Sequence, residues 1–365
     1  MINRNGRILF ARFFLYLCRM KQMKPIIAGP CAVESEEHVL KTAEFLATKT
    51  AVTTMRAGVW KPRSRPGGFE GHGEKALQWL KSAKEIYKLS IATEVATPEH
   101  VELCLKYGID TVWIGARTTG NPFLVQKIAD SLAGSDLTVM VKNPLIPDWA
   151  LWLGAIERME TSGISNVIAV HRGFGTSRHS QFRNSPMWEI PNEIKTRRPE
   201  LPMYCDPSHI AGRTDLVFLV AQRALDMAMD GLMIEIHPDA KHALTDGFQQ
   251  LSFEEFEQLV SQLTEENACD EHRPLKRMRA IIDDLDEEII SALAKRLKIV
   301  DEIGDYKRQN DMLALQPERW KKLLEKRLEL GKRHDLNEDF LVGLWTAIHD
   351  ESLRRQEKDE IRDKR

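Results

Sequence analysis

The stretch that decides the fold runs from residue 231 to residue 247 and reads GLMIEIHPDAKHALTDG. It opens as an apolar run typical of a buried strand, places Glu235 where that run ends, and returns with Asp246 just before a glycine. Two carboxylates that frame one loop are suited to a cation, and Cys31 and His209 follow two other apolar runs in the same way. The pattern therefore indicates a divalent metal site with mixed ligands. Each residue alone also has an ordinary interpretation, as a solvated loop acid or a buried thiol.

Further apolar runs precede this one, and helix-like stretches separate them. The eight runs lie at 25–30, 52–58, 89–95, 110–116, 138–143, 166–173, 201–209 and 231–237. Stretches such as 98–108, 121–134 and 215–231 have helical periodicity, and several end in glycine as a helix C-cap does. Strands that alternate with helices form parallel sheets with right-handed crossovers. Eight such units in about 240 residues predict an α/β fold, a closed (β/α)8 TIM barrel over residues 24–263.

Charged side chains cluster at one end of this predicted barrel. They lie at or just past the carboxyl ends of the apolar runs: Arg56, Lys61, Arg63, Glu94, Arg117, Lys142, Arg172, His209 and Glu235. Barrels of this type carry their active sites at that end. Cations there are often salt-bridge partners, but six of them around one barrel mouth predict a pocket for anions such as phosphates and a carboxylate.

Length and composition bound the class of protein. The 365 residues predict two domains, and the formal net charge of −2 implies no nucleic-acid partner. Five cysteines, at positions 18, 31, 104, 205 and 269, share no tight spacing, which favours a reducing, cytoplasmic location over a disulfide framework. Residues 1–23 mix arginines with an apolar run that Arg12 interrupts. We interpret them as a poorly ordered extension, neither a membrane span nor a secretory signal.

The last quarter of the chain follows a different pattern. After a polar stretch at 264–272, interpreted as a linker, no strand-like run occurs, and apolar residues recur every three or four positions over 273–309. A helix of that length is about 50 Å long at 1.5 Å per residue. The sequence therefore predicts an all-α domain at 273–361 whose long apolar stripe needs a second copy of the chain to cover it.

Two shorter helices complete this domain. One is predicted at 317–334, with its C-cap near Gly331 or later, and the other at 337–358, where Asn337 is a favourable N-cap. The expected architecture is a three-helix domain of the intertwined-dimer type.

Seven motifs in the barrel region are specific as a set. They are GPCAVES (29–35), RAGVWKPRS (56–64), IGAR (114–117), VKN (141–143), HRG (171–173), CDPSH (205–209) and IEIHPDAKHALTDG (234–247). Together they resemble 3-deoxy-D-arabino-heptulosonate 7-phosphate (DAHP) synthases of the short type related to 3-deoxy-octulosonate 8-phosphate synthases. The resemblance implies condensation of phosphoenolpyruvate with erythrose 4-phosphate, and one divalent metal ion per barrel, Mn²⁺ or another first-row ion. Lys61-Pro62-Arg63 differs from the KANR-type loop of the octulosonate synthases and favours the four-carbon aldose.

The resemblance also implies roles for individual residues. The metal ligands would be Cys31, His209, Glu235 and Asp246. The residues around phosphoenolpyruvate would be Arg56, Lys61, Arg117, Lys142 and Arg172. Arg63 and Ser64 would bind erythrose 4-phosphate; the family usually has Thr where Ser64 stands, and the hydroxyl is kept. Either Lys61 or Glu94 is suited to carry the catalytic proton.

The helical region resembles the all-helical chorismate mutases over nearly its full length. The matching positions are Arg279, Arg296, Lys307, Arg319, Ser352 and Gln356. Eleven residues separate Arg296 from Lys307, so they share a helix face, whereas Arg279 lies about 100° away around the same helix. The resemblance implies rearrangement of chorismate to prephenate in a swapped homodimer, in which Arg279 comes from the partner chain, with higher homo-oligomers left open.

The same resemblance implies an electrostatic catalyst without a nucleophile. Arg279 and Arg296 would bind the two carboxylates, and Lys307 and Gln356 would donate to the ether oxygen. Two positions depart from the family: Gln316 stands in place of an acid, and Trp320 stands where the best-known members have a glutamate for the substrate hydroxyl. These departures predict weaker substrate binding.

Two interpretations of the whole chain remain at this stage. In one, both domains are enzymes of the shikimate pathway and aromatic amino acid biosynthesis, and the helical domain also mediates feedback inhibition of the barrel. In the other, the helical domain is catalytically weak and acts only in regulation or dimerisation. Both interpretations imply small-molecule substrates and neither a nucleic acid nor a membrane partner. Prephenate formation by residues 266–365 alone would discriminate between them.

Overall fold

The computed structural model describes residues 24–62, 67–175, 181–263 and 273–357. In the first part of the chain, eight parallel strands close into a barrel in chain order, and β8 returns to pair with β1. The strands are β1 Ile26–Gly29, β2 Thr54–Arg56, β3 Ser90–Val95, β4 Thr111–Ile114, β5 Thr138–Lys142, β6 Val167–His171, β7 Met203–Cys205 and β8 Gly231–Glu235. Each apolar run contains one of these strands, so the predicted (β/α)8 barrel is confirmed.

Helices follow the strands as the alternating pattern predicts. They are α1 Glu36–Lys49, α2 Glu74–Tyr87, α3 Pro98–Lys106, α4 Ala116–Thr119, α5 Pro122–Leu132, α6 Trp149–Thr161, α7 Glu189–Arg197, α8 Pro207–Ala211, α9 Thr214–Asp226 and α10 Phe253–Gln262. Short 3₁₀ helices span Ala240–His242 and Gly247–Gln249 in the loop after β8. That loop therefore has local structure of its own, and it carries Asp246.

The register of the first and last strands positions the site. Gly29 of β1 lies opposite Glu235 of β8, so the loop that carries Cys31 emerges beside the end of β8. A cluster of buried residues that includes Trp113 and Met140 is separate from the larger core formed with the helices. Because successive strand residues point to opposite faces, the smaller cluster fills the barrel interior and the larger one lies between strands and helices.

Glycine ends two of the three helical stretches as predicted. Gly108 and Gly134 follow α3 and α5 with φ of 67° and 77°, the left-handed conformation of a helix C-cap. The third prediction was wrong, because Gly231 begins β8 and Ala228 takes the left-handed conformation after α9 with φ of 64°. Gly231 is required for packing, since a Cβ there would lie 2.6 Å from the ring of Tyr204.

In the described residues after the barrel, the helices are α11 Arg273–Gln309, α12 Pro317–Lys332 and α13 Glu338–Glu357. The predicted N-cap of α13 is confirmed, because Asn337 Oδ1 accepts the backbone N–H of Phe340 at 2.9 Å. The predicted end of α12, near Gly331 or later, is confirmed, because the helix ends at Lys332 and Arg333 is its C-cap. Gly331 also has a packing role. It lies inside α12, is buried, and lets Leu341 approach so closely that a Cβ at position 331 would be 2.0 Å from Leu341 Cδ1.

The chain divides into two compact units, residues 1–281 and 282–365. The predicted extension at 1–23 and linker at 264–272 lie outside the described residues. Many large apolar side chains of the helical unit are exposed: Ile282, Leu285, Ile289, Ile290, Ile299, Ile303, Leu313, Leu330 and Phe340. In the part of the chain that the structure describes, no helix combines the length and apolar character needed to cross a membrane.

Candidate active sites

The predicted metal ligands meet at the carboxyl end of the barrel. Cys31 follows β1, His209 lies on α8 after β7, Glu235 ends β8, and Asp246 lies in the loop after β8. The Cys31 thiol is 3.3 Å from Asp246 Oδ2, and His209 Nε2 is 3.8 Å from Glu235 Oε1. The structure thus brings together all four residues that the sequence singled out.

Two neighbouring side chains orient His209 and Glu235. Asp206 Oδ2 lies 2.8 Å from His209 Nδ1, so Nε2 faces Glu235. Gln249 donates from Nε2 to Glu235 Oε2 at 2.6 Å. Partners of this kind fix the orientation of metal ligands.

A third neighbour, Arg183, extends this network to Asp246. Its Nη1 donates to Asp246 Oδ1 at 2.8 Å and to Gln249 Oε1 at 2.6 Å. Sequence reasoning missed Asp206, Gln249 and Arg183. The only signal available was that Asp206 lies within the CDPSH motif and Gln249 three residues after a predicted ligand.

The charges at these ligands favour a bound cation. Burial raises the pKa of the Cys31 thiol to about 12, with the nearby Glu235 carboxylate adding to the rise. Burial also acts to raise the pKa of Glu235, but His209 and Arg56 outweigh it and the pKa is lowered. Among the described residues, no hydrogen bond reaches Glu235 Oε1, although Arg56 Nη2 is 2.9 Å away. A thiol and carboxylates around such an oxygen suit a borderline divalent ion.

A second group of possible metal ligands follows the same two strands. The ligand atoms of Glu34, His38 and His237 all lie within 4.8 Å of one another. However, His237 Nδ1 accepts the backbone N–H of Asp239 at 2.9 Å, so the proton of its neutral ring is on Nε2, 3.4 Å from Glu34. A metal on Nε2 would have to displace that proton. The Cys31 set is therefore the better candidate metal site.

Buried cations lie beside the metal ligands. Arg56 ends β2 and Lys142 ends β5, and their side chains are 1% and 5% exposed. Lys142 Nζ is 2.7 Å from Asp206 Oδ2, and Arg56 Nη1 is 3.7 Å from the same oxygen. Both cations lie over the Trp113 ring, at 4.9 Å and 5.4 Å. Burial lowers the pKa of Lys142 despite the opposing effect of Asp206.

Arg172 and Arg117 add positive charge at the same end of the barrel. Arg172 follows β6 and is buried, whereas Arg117 is exposed on α4. Burial lowers the pKa of Arg172 to about 10; Asp206 acts against this, and Arg183 and Arg117 add to it. These arginines therefore repel one another electrostatically. A phosphate or carboxylate between them would relieve that repulsion.

Lys61 and Glu94 lie close enough to interact electrostatically. Lys61 Nζ donates to Cys31 Sγ at 3.0 Å, and Glu94 Oε2 accepts from Trp113 Nε1 at 3.2 Å. Burial acts to lower the pKa of Lys61, but Cys31 and Glu94 more than offset it, so the pKa is raised. Gly115 makes room for Glu94, because a Cβ there would be 2.1 Å from Glu94 Oε1.

Of the motif residues Arg63, Ser64 and His171, only His171 is described, and it has a packing role outside this site. Arg63 and Ser64, predicted for erythrose 4-phosphate, lie outside the described residues. His171 is buried between aromatic rings, with Trp188 at 5.0 Å and Phe174 at 5.8 Å between centroids. Burial lowers the pKa of His171 to about 3, so its ring is neutral and has a packing role.

The helical unit contains a separate cationic pocket. Arg296 donates from Nη1 to Ser352 Oγ at 2.7 Å, and Lys307 Nζ donates to the Ala314 carbonyl at 2.6 Å. Gln356 lies one turn after Ser352 on the same face of α13, and its Oε1 is buried without a hydrogen bond to any described residue. The structure thus joins Arg296 to Ser352 and places Gln356 on the same face of α13. Arg296 and Lys307 both lower the pKa of His349, which lies on that helix face too.

Positive charge in this pocket is not neutralised. Burial lowers the pKa of both Arg296 and Lys307, and Arg319 lowers that of Lys307 further; no carboxylate of the described chain is among these influences. Gln316 is the N-cap residue of α12, and Arg319 is exposed in its first turn. Arg279 is exposed on α11, outside this compact unit.

A TIM barrel with buried cations at the carboxyl ends of its strands is the class of enzyme that binds phosphorylated, anionic substrates. Comparisons with known proteins identify the family within this class. The sequence model of the DAHP synthetase I family matches residues 21–269, and that of chorismate mutase type II matches residues 278–357. The chain is 34% identical over 239 residues to phospho-2-dehydro-3-deoxyheptonate aldolase of Thermotoga maritima, covering 65% of this chain and 68% of that protein. A 2-dehydro-3-deoxyphosphooctonate aldolase of Protochlamydia amoebophila is 27% identical over 258 residues, 67% of this chain and 92% of that one.

Solved structures agree with these sequence matches. The crystal structure of the Thermotoga maritima DAHP synthase superposes with a TM-score of 0.60 at 33% identity, covering 66% of this chain and 68% of that one. A truncated form of the DAHP synthase from the same organism superposes with a TM-score of 0.58 at 31% identity, covering 66% and 84%.

The chain therefore belongs to the DAHP synthetase I family and carries a chorismate mutase type II domain. It is an enzyme of aromatic biosynthesis with two activities, DAHP synthase in the barrel and chorismate mutase in the helical unit. Members of the DAHP synthase family generally use a divalent metal ion. The match to a mutase family favours the interpretation in which both domains are enzymes.

Proposed function

We propose that the barrel condenses phosphoenolpyruvate with erythrose 4-phosphate around one divalent ion, Mn²⁺ or another first-row ion. Its ligands would be Cys31, His209, Glu235 and Asp246. This proposal rests on one observation: a thiol, an imidazole and two carboxylates converge from three loops. Asp206 orients the imidazole of His209, and Gln249 orients the carboxylate of Glu235. A mixed sulfur, nitrogen and oxygen ligand set is typical of first-row metals.

The protein's own groups would bind and orient phosphoenolpyruvate. The bound ion would supply Lewis-acid polarisation of the aldehyde carbonyl. Lys142, Arg172 and Arg117 would bind the phosphate and carboxylate, and Arg56 would add positive charge beside them. Asp206 supports this role because it contacts both Lys142 and Arg56 and so keeps two buried cations in place.

Proton transfer would belong to Lys61 or Glu94. Lys61 is protonated, since its pKa is raised, and its Nζ already lies 3.0 Å from Cys31 Sγ. It is thus suited to donate a proton or to stabilise negative charge near the metal ligands. Arg63 and Ser64 stay predictions for the phosphate end of erythrose 4-phosphate.

In the helical unit, we assign catalysis to Arg296, Lys307 and Gln356. The unneutralised charge of Arg296 and Lys307 supports a dicarboxylate ligand, and Lys307 and Gln356 would donate to the ether oxygen as negative charge develops on it. The other substrate-binding residues of the same chain would be Gln316, Arg319 and Ser352. The partner subunit would contribute Arg279. The exposed apolar stripe of α11 supports a homodimer through this unit.

We also assign feedback inhibition of the barrel to the mutase pocket. Ligands that prefer one arrangement of a protein shift its activity, with coupling free energies typically of about 1–3 kcal/mol. Within the described residues, the mutase pocket is the site besides the barrel mouth that is suited to pathway intermediates. The alternative role, a catalytically weak regulatory domain, is disfavoured by the intact set of Arg296, Lys307 and Gln356. A cytoplasmic location stays a prediction from cysteine usage.

Metal removal tests the proposal for the barrel. Chelation should abolish condensation by the full-length protein, and one equivalent of Mn²⁺ per chain should restore it. Chorismate mutase activity in the same sample is the internal control and should not change. His38→Leu should keep the metal stoichiometry, because His38 belongs to the other ligand group. Condensation that survives complete metal removal would contradict the proposal.

A further inference from the structure

Trp320 and His349 form a stacked pair in the helical unit. Their ring centroids are 4.0 Å apart and their planes differ by 9°. Trp320 lies in the first turn of α12, and His349 lies in the middle of α13, so the stack joins the two helices. Both residues are half-buried. A parallel stack fixes the plane of the imidazole and leaves its edge, with both nitrogens, free to contact a ligand.

His349 belongs to the same helix face as the mutase residues. His349, Ser352 and Gln356 are spaced three and four residues apart, which places them one above another along α13. Ser352 accepts a hydrogen bond from Arg296 at 2.7 Å, one turn away from His349. The backbone of His349 is therefore three residues, ~4.5 Å along the helix axis, from that of Ser352, which Arg296 contacts.

The charges acting on His349 also link it to the pocket. Burial lowers the pKa of His349; Asp350 acts in the opposite direction, while Arg296 and Lys307 lower it further. The ring is therefore neutral at pH 7, with one N–H donor and one nitrogen acceptor. In the described part of the chain, neither ring nitrogen has a hydrogen-bond partner.

The chemistry of chorismate requires a group of this kind. Its carboxylates and ether oxygen accept hydrogen bonds, which Arg296, Lys307 and Gln356 donate, but its ring hydroxyl also has a proton to give. A buried hydroxyl without an acceptor costs free energy. Trp320 has only an N–H donor. The neutral nitrogen of His349 is an acceptor on the same face of the pocket, and the hydroxyl lies across a six-membered ring from one carboxylate, a span comparable to one helical turn.

We propose that His349, held in place by Trp320, accepts the hydrogen bond of the chorismate ring hydroxyl. The inference rests on the proposed mutase site, since it assumes that Arg296 and Lys307 bind the anionic groups of the same substrate. His349 then determines specificity for the hydroxylated substrate, and Trp320 is a positioning residue. Sites built to pair with a substrate hydroxyl discriminate strongly against analogues that lack it.

The test compares two substrates in the full-length protein, chorismate and its analogue without the ring hydroxyl. For chorismate, His349→Ala should raise KM about tenfold with less than a threefold change in kcat, while its effect on the analogue should be small. His349→Gln, which keeps a neutral acceptor, should recover most of the loss. His334→Ala, which removes an exposed imidazole from the same unit, is the matched control.

A second variant tests the stack. Trp320→Ala should reproduce the KM effect of His349→Ala, and Trp320→Phe should not, because phenylalanine can still stack on the imidazole. The role of His349 would be overturned if His349→Ala raised KM equally for both substrates, or left KM for chorismate unchanged. If Lys307→Ala also leaves mutase turnover intact, the mutase site itself is wrongly assigned. Failure of the proposed mutase site can therefore be distinguished from failure of the role of His349.

Discussion

Asp206 contacts three residues of the barrel site, although it binds neither metal nor substrate in our assignment. Its Oδ2 is 2.8 Å from His209 Nδ1, 2.7 Å from Lys142 Nζ and 3.7 Å from Arg56 Nη1. Burial acts to raise the pKa of Asp206, but His209 and Lys142 outweigh it, and the pKa lies well below its usual value. One carboxylate therefore holds a proposed metal ligand and two proposed substrate-binding cations in a fixed arrangement.

At the residue scale, Cys31→Ser should abolish or severely weaken condensation, because a hydroxyl is a much poorer ligand than a thiolate for a borderline metal. The mutase reaction should not change. Bound metal provides the second readout: Co²⁺ substitution should give a thiolate charge-transfer absorption in the parent protein and none in the variant. Cys104→Ser, at another buried thiol of the barrel unit, is the control and should keep both activity and absorption. Wild-type condensation by metal-free Cys31→Ser would refute the assignment.

Lys307→Ala should lower mutase kcat by orders of magnitude while leaving the helix intact. Alanine is the better helix former, and Lys307 is needed only for charge in the transition state. Steady-state kinetics and thermal unfolding of the full-length protein measure the two effects, and Lys298→Ala on the same helix is the control. A change confined to KM would mean that another group binds the ether oxygen.

At the element scale, two glycines inside helices have opposite surroundings. Gly331 in α12 packs under Leu341, whereas a Cβ at Gly343 in α13 would have no atom within 4 Å. Helix propensity alone predicts that alanine stabilises both positions, by about 1 kcal/mol each. Packing makes the alanine substitution destabilising at Gly331. Leu341 is only 5% exposed, which limits how far its side chain can move away.

Gly331→Ala should therefore lower the stability of the helical unit by about 1–2 kcal/mol, the cost of overpacking less the gain in propensity. Gly343→Ala should raise it by roughly 0.5–1 kcal/mol. The urea midpoint for loss of mutase activity in the full-length protein measures both changes. Equal stabilisation by the two substitutions would show that the Leu341 side chain can move aside without a loss of stability.

At the scale of the whole molecule, the apolar stripe of α11 is incomplete in one chain. Ile282, Leu285 and Ile289 are 55%, 46% and 57% exposed, although they follow the spacing of a buried helix face. Contiguous exposed apolar surface of this kind marks a protein interface.

Ile289→Lys should weaken the homodimer, because it places a charge within the apolar stripe. Light scattering at micromolar concentration should show a shift toward monomer. Mutase activity should fall in parallel, since Arg279 would come from the partner subunit. Lys298→Glu lies nine residues further along α11, on the opposite face, and should leave the assembly unchanged. An intact dimer in Ile289→Lys would exclude this face as the interface.

Deletion of the chain after Gln262 should leave a barrel that condenses its substrates and does not respond to prephenate. The expectation follows from placing the inhibitor site in the mutase pocket. Condensation rates with and without prephenate measure it. The full-length Arg296→Ala variant should likewise not be inhibited by prephenate. This variant provides the test if the shortened barrel does not fold. Undiminished inhibition in both variants would place the sensor in the barrel.

The sequence by itself determined the eight strands and the helices, and it predicted side chains that the structure brings together at one end of the barrel. Apolar periodicity and caps are local properties, so the eight strands, the bounds of α11 and the cap at Asn337 could be read without the structure. The predicted metal ligands could be found because parallel strands end at the same rim of a barrel.

Only the tertiary structure decided which side chains support those residues. Cys31 meets Asp246 across 215 positions of sequence, and Arg183 meets Gln249 across 66, because barrel closure brings distant loops together. The packing role of Gly331 and the stack of Trp320 on His349 depend in the same way on how neighbouring helices approach. Periodicity identifies the face that a side chain occupies, but the partner on the facing element is set by packing between elements.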